Sequence, residues 1–478
     1  MSDFAALNTA LTGLIAHQRA SEQIGHNIAN VNTEGYSRTR LELTSAGAGL
    51  VGAVWATPRI TGDGVKVAAL LRIRDEFLER QALGDHGATE QLTASKQILA
   101  NVERSFPEPG DNGLASQLSS FWSAWDDVAN NPSSLGTRTS LLERATTVVQ
   151  NLNRSATDLK TQRDSAVGNM STIVQDVNST LAEIAQLNGS IQDSVNAQLP
   201  ANDLQDKRDL LIEKIAKLTG ATTRDLPNGM MEVRVGGSAL VSGTSFSGLT
   251  LPIQIANPTG DATLDAVGWK QVQIQANGYA VSFTGGQLAG LLDGVNRALP
   301  SYLDKLNQVA TTLTSDVNSL HATAWGLNDA GATAPGRNFF ALTPGVGAAL
   351  GIRLTDSTDV PPGVKDQPAN VAVSNGPGLL DASIAQKLAV LHDSTTGADS
   401  VYKSMIASLA VESQAVQQRS SIQDNITTQI DAQRKGASGV NLDEEMVNLT
   451  ASQHAYAASA KLMTTISEML DTLINLGR

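Results

Sequence analysis

Histidine is the side chain best suited to ligate a metal or move a proton near neutral pH. The chain holds six: His17, His26, His86, His321, His392 and His454. None stands in an H-E-x-x-H or H-x-H spacing, so no pair shares a helix or strand face as a metal site needs. Gly47-Ala48-Gly49-Leu50-Val51-Gly52 fits G-x-G-x-x-G. Pro58 and further glycines follow where a phosphate-binding helix would have to open, so the stretch reads as a loop. Gly236-Gly237 follows a strand without the rest of that pattern, and neither a Walker A sequence nor a G-x-S-x-G elbow is evident. Carboxylates are plentiful, but nothing singles out a glycosidase-like pair. The trio Asp443, Glu444 and Glu445 follows Asn441; an N-cap with an acidic first turn explains it better than catalysis. With no cysteine there is no thiol nucleophile, thiolate metal site or disulfide framework. The expectation is a chain that is not an enzyme, with no catalytic, cofactor or metal residues.

Composition points the same way. The 478 residues carry a formal charge of −13 and no basic run, so neither nucleic acid nor an anionic membrane is an expected partner. Residues 1–21, MSDFAALNTALTGLIAHQRAS, lack the basic and apolar regions of a secretory signal. No apolar run is long enough for membrane insertion. Hydrophobic residues at 41% predict a folded core, while charged residues at 17% and aromatics at 4% suit long helices with weakly charged outer faces.

The apolar spacing predicts where those helices lie. Phe4, Leu7, Leu11 and Leu14 recur at steps of three or four, and Ile24, Ile28 and Val31 continue a stripe to a stop near Asn32-Thr33-Glu34-Gly35. At the other end Leu462, Ile466, Met469, Leu473 and Leu476 step by four, three, four and three, beside a second stripe through Leu442, Met446, Leu449, Tyr456 and Met463. A spacing of 3.5 is a coiled-coil seam. The economical arrangement pairs the N- and C-terminal helices, although periodicity says only that something covers each stripe. Helical period also runs through 75–105, 114–130 and 133–198, where Gly168 and Gly189 could interrupt. Residues 221–285 switch to period two around Met231, Val233 and Val235, with Asn228-Gly229 and Asn277-Gly278 as hairpin turns. Helix resumes over 287–318, 326–381 reads as loops and short strands, and 382–435 returns to helix before the Gly436–Gly439 stretch.

The expected fold is mainly α with a β insert, elongated and multidomain. Residues 1–45 plus 436–478 form a terminal helical core. Residues 46–220 plus 286–325 plus 382–435 form a helical domain with a small hairpin near 60–70. Residues 221–285 plus 326–381 form an antiparallel, β-rich outer insert.

The run N-I-A-N-V-N-T-E-G-Y-S-R, Asn27 to Arg38, closely resembles the signature of the bacterial flagellar axial proteins. Gly62 to Leu78 looks like the hairpin strand and following helix of that family, and Gly439 to Met463 resembles its C-terminal motif. Phe121 to Arg138, F-W-S-A-W-D-D-V-A-N-N-P-S-S-L-G-T-R, resembles the hook-associated members in particular. The resemblance implies a structural subunit at the hook–filament junction, required for filament assembly and motility; the alternatives are another axial subunit, of the hook or distal rod, and a secreted helical adhesin, which would leave Asn27 to Arg38 unexplained. Such subunits polymerise with themselves in a helical array, between the hook protein and a second junction protein leading to the filament. A cytosolic export chaperone on the C-terminal helix and export through the flagellar type III apparatus, without a cleaved signal peptide, are also implied, with an extracellular destination. The expected assembly interface is Leu7, Leu11, Leu14, Ile28, Asn30, Thr33, Gly35, Tyr36, Leu462, Ile466, Met469 and Leu473. Tyr36 is either a neighbour contact or a loop aromatic packed on its own helix; Glu34 and Arg38 are expected to be solvated or weakly paired.

Overall fold

A computed structural model of the chain describes residues 2–46, 64–255, 265, 267–331, 333–377 and 381–476. The Gly47–Gly52 stretch lies outside the described residues, as do the side chains of Phe4, Leu473 and Leu476. The chain opens with helix α1, Ser2–Ala29, followed by an antiparallel hairpin of β1, Thr39–Ser45, and β2, Val65–Arg72. Four helices follow: α2, Glu76–Ser105; α3, Leu114–Asn130; α4, Leu135–Asn196; and α5, Asn202–Thr219. Helix α4 is unbroken over 62 residues, about 93 Å at 1.5 Å per residue. Each glycine inside it weakens the helix by about 1 kcal/mol. A stripe running from Leu141 through Leu152, Met170 and Ile184 to Ile191 is fully buried, and that packing outweighs Gly168 and Gly189.

Past α5 the period-two stretch folds as expected. Strands β3, Thr222–Asp225; β4, Met231–Val235; β5, Ser238–Ser242; and β6, Ser245–Phe246 form one antiparallel sheet in chain order. Asn228 and Gly229 both sit in left-handed backbone, as do Asn277 and Gly278. Two further pairs join β7, Ile253–Ile255, to β8, Gln271–Gln273, and β9, Gln275–Ala276, to β10, Tyr279–Ala280. Asparagines on α4 bind this β module by its backbone. Asn178 donates to the Leu249 carbonyl at 2.8 Å and accepts from the Leu249 amide at 2.7 Å. Asn188 donates to the carbonyls of Met231 and Gly243, both at 2.8 Å.

Helix α6, Gly286–Asp293, leads through a π turn into α7, Leu299–His321. Gly286 (φ +80°) and Gly220 (φ +68°) let two backbones touch where α5 ends, and a Cβ at Gly290 would run into the Gln91 carbonyl of α2. Small residues thus set how closely α6 lies on α2. Beyond α7 come β11, Phe340–Leu342; the short helix α8, Ala348–Gly351; and β12, Ile352–Leu354, which pairs with β11. The chain ends with α9, Ser383–Ala389; α10, Ala398–Ser438; and α11, Leu442–Leu476. Helix α10 passes through Gly436 and breaks only at Gly439–Asn441.

The sequence reading joined 326–381 to 221–285 in one outer insert, and here the packing differs. Among the described residues, strands of the two stretches do not pair, and they lie against opposite halves of α4. Arg138, near the start of α4, is 1% exposed and donates to the carbonyls of Pro132 and Val371. Asn153 reaches Ile352. The physical reason is an aromatic bed on α3. Phe121 lies 4.8 Å from Trp122, 6.0 Å from Phe339 and 5.9 Å from Phe340 between ring centroids, and Trp125 lies 5.4 Å from Phe339. Trp122 Nε1 donates to Asp399 of α10 at 2.8 Å. Phe121 to Arg138 therefore holds the 326–373 loops to the helical body.

His321 is enclosed in this bed. Its Nδ1 meets the Arg337 carbonyl at 2.7 Å, and its Nε2 accepts from the Ala372 amide at 2.9 Å. That pair of contacts suits the neutral ring alone, since a second ring proton would face an N–H. Burial pushes the His321 pKa down to about 4, helped by Arg337 and Arg138 and opposed by the hydrogen bond to Arg337 and by Asp329. Between pH 4 and the unfolded value near 6.5 the unfolded chain binds the extra proton, so stability falls as pH drops through that window. The expected loss is about 3 kcal/mol by pH 4. Denaturant midpoints compared at pH 7 and pH 4.5 should differ, and His321→Gln should shrink the difference.

Candidate assembly interface

The signature loop is built by short-range hydrogen bonds around the end of α1. Thr33 Oγ1 donates to Asn30 Oδ1 at 3.1 Å, and the Tyr36 amide donates to the Thr33 carbonyl at 3.2 Å. Gly35 takes φ +79°, and a Cβ there would lie 3.3 Å from Leu210 Cβ of α5. Tyr36 is half-buried, and its hydroxyl reaches back to Asn27 Oδ1 at 2.8 Å. Of its two readings, the packed loop aromatic describes this contact. Burial raises the Tyr36 phenol pKa. Asn27 is buried; it donates to the Thr39 carbonyl and to Glu445 Oε2 of α11, each at 2.9 Å.

Glu445 is 1% exposed. It also receives Arg38 Nε at 2.8 Å, while the two Arg38 terminal nitrogens fork onto Glu444 at 2.9 Å each. Arg38 is thus not a solvated or weakly paired side chain. It clamps the signature loop to the first turn of α11, 406 residues away. Hydrogen bonding to Glu444 raises the Arg38 pKa, and Arg38 in turn lowers that of the exposed Glu444 carboxylate. Asn441 caps α11 by accepting from the Asp443 amide at 3.0 Å, as the N-cap reading expects. The Arg38 amide donates to the Ser438 carbonyl, which ties the loop to the end of α10 as well.

From this clamp α1 and α11 run antiparallel, with Gly13 facing Ser459. The covered stripe of α11 runs through Glu445, Leu449, Ser452, Ala455, Ser459, Met463 and Ile466 at steps of three or four. Its middle is small, and the helices approach closely there. Ile466 is 4% exposed, and Leu7, Leu14 and Ile28 are half-buried. Leu11, Leu462 and Met469 are not covered by the pair. Together with Ile15, Met446 and Val447 they are 41–68% exposed. Met446, Val447, Thr450, Ala451 and His454 line a shallow, largely apolar groove. Asn30 is half-buried and Thr33 exposed on the loop. The pair approaches closely over small residues at its middle, buries Ile466 toward one end, and leaves a second row of large apolar residues facing outward.

The terminal module meets the rest of the molecule through charge more than through apolar packing. Asp206 on α5 accepts from the Ser37 amide at 3.0 Å and pairs with Arg72 at 2.9 Å. Asp209, one turn on, takes Arg72 at 2.6 Å and also Arg74. Glu213, a turn further, pairs with Lys217 and Arg434, each at 2.8 Å. Burial pushes the Asp206 carboxyl up, only partly offset by Arg72. At Glu213 burial acts upward too, but Lys217 and Arg434 outweigh it and bring the pKa to about 2. The sequence reading missed Asn27, Arg38, Thr39, Glu445 and this joint. The spacing of Asp206, Asp209 and Glu213 on one helix face was a visible signal; their partners were not.

A helix pair formed from the two chain ends is closed by a signature loop and leaves an apolar outer face, and both ends of that pair match flagellar axial families. Residues 7–36 match the flagella basal body rod protein family, and residues 436–476 the flagellar basal body rod FlgEFG protein C-terminal family. Residues 99–340, about half of the chain, match the flagellar hook-associated protein FlgK helical domain, and the chain belongs to that family. It is similar to flagellar hook-associated protein 1 of Bacillus subtilis, 28% identical over 513 residues that span 99% of this chain and 98% of that one. The protein of the same description from Escherichia coli is 24% identical over 556 residues, spanning 98% and 99%. Among solved structures, the flagellar hook junction protein FlgK from Burkholderia pseudomallei aligns with a TM-score of 0.47 and 22% identity, covering 55% of this chain and 47% of that one.

Proposed function

We propose that this chain is an adaptor subunit that polymerises through its paired terminal helices at the hook–filament junction, with the hook protein on one side and a second junction protein on the other. As a member of the hook-associated family it is a structural component of the flagellum. The observation that carries the mechanism is the outward row of Leu11, Ile15, Met446, Val447, Leu462 and Met469. A monomer gains nothing by holding these large apolar side chains in water. A neighbour packed on that face gains about 25 cal/mol for each Å² of apolar surface removed from water. A head-to-tail contact of this kind generates an open helical array.

In this reading residues 1–45 and 436–478 form the axial core, and the helical body with its β module and loops faces outward. Export through the flagellar type III apparatus, with a chaperone covering the C-terminal helix, fits the same exposed face. A single amphipathic helix is marginal in water until a partner buries its stripe. The reading contains no catalytic step. Removing residues 440–478 tests it in cells: hooks should form without filaments, filament subunits should appear in the medium, and the body should stay folded. Motile cells with filaments of normal length after that deletion would refute the proposal.

A further inference from the structure

We propose that Glu445 sets the register of the terminal helix pair. Apolar contact is non-directional, and the middle of the α1–α11 interface is built of small residues: Gly13 faces Ser459, with Ser452 and Ala455 along the same stripe between the half-buried Leu449 and Met463. Over that stretch the surface offers little resistance to sliding by one helical turn, about 5.4 Å. Glu445 offers a great deal. Its carboxylate is 1% exposed and receives both Arg38 Nε at 2.8 Å and Asn27 Nδ2 at 2.9 Å.

A one-turn slip would leave that carboxylate buried without its donors, a far larger penalty than any loss of alanine or serine contact. A polar residue inside a helix seam is known to select register at the expense of stability. Asn27 and Arg38 are themselves fixed by Thr39 and by the Ser438 carbonyl, so the donors do not follow a sliding helix. Glu445 therefore acts as a positioning residue. It aligns the exposed residues of α1 with those of α11, so that a neighbouring copy meets one continuous face. That last consequence rests on the assembly reading above; the register itself does not.

The chain has no cysteine, so register can be mapped on the full-length protein by engineered disulfides. A Cβ at Gly13 lies 3.9 Å from Ser459 Cβ, within the range a disulfide needs. The native pair is Gly13→Cys with Ser459→Cys, and the one-turn-shifted pairs are Gly13→Cys with Ala455→Cys or with Met463→Cys. With Glu445 present, the native pair should cross-link and the shifted pairs should stay at background. In a Glu445→Met background the shifted pairs should rise to the yield of the native pair while helicity is retained. Should Glu445→Met fail to fold, Arg38→Leu/Glu445→Met removes both charges together and decides the question by the same readout. A native pair that still predominates without the carboxylate, or that never predominates with it, overturns the inference. Because the mapping is done on the isolated chain, either result leaves the assembly reading standing.

Discussion

Changing Met446, Val447 and Leu462 together to serine leaves the chain folded and removes its ability to carry a filament. In the free protein these side chains are 50–68% exposed, and exposed substitutions ordinarily move stability by no more than about 0.5 kcal/mol each. In the assembled array each would be buried against a neighbour; full burial of a Met, Val or Leu side chain is worth about 1.5–3 kcal/mol, so the half to two-thirds still exposed here carries about 1–2 kcal/mol. Three such losses at every contact, repeated around a helical array, exceed what a moderate affinity can absorb. Circular dichroism and thermal unfolding of the purified variant should match the parent, while electron microscopy of cells should show bare hooks. Filaments in normal number on such cells would mean that another surface joins the subunits. Ile466→Ser behaves differently, because Ile466 is buried in the pair itself; it should loosen the terminal helices before assembly is reached.

Phe121→Ala is the most damaging single change expected in the helical body. The ring is fully buried and touches Trp122, Trp125, Phe339 and Phe340. Truncating a buried phenylalanine costs about 3–5 kcal/mol through lost burial and the cavity left behind. The loss should centre on the 326–373 loops, which depend on α3 for their apolar cover. Denaturant unfolding followed by tryptophan emission reads it directly, since Trp122 and Trp125 flank the site. An unchanged midpoint would show that the loops find their support elsewhere.

Helices and turns were legible from sequence because their causes are local. The 3.6-residue period marked α4, and Asn-Gly dipeptides marked the left-handed turns at 228–229 and 277–278 because few other residues take that backbone cheaply. Asn441 read correctly as a cap for the same reason: its acceptor serves an amide two residues on. The strands of 221–285 were recognisable from their period, and 326–381 as loops with short strands, but not which helix covers each. Period two reports a half-buried strand without saying which helix buries it, so 326–381 was joined to 221–285 when its cover lies on α3.

The signature itself shows where sequence reading ends. Asn27 to Arg38 was recognisable as a motif, and its own residues indicated a helix end with a glycine turn. By itself the sequence determined the long helices, the apolar stripes at both ends and the family, but not the shorter α5 and β1. Only the tertiary structure decided that Arg38 is a clamp, that Glu445 is a buried anchor, and which large residues of the terminal stripes enter the pair, as Ile466 does, and which face outward, as Leu462 and Met469 do. Periodicity places residues on a face of a helix, but which face is covered depends on how closely two backbones can approach. That distance was set by Gly13 meeting Ser459, residues 446 positions apart in the chain.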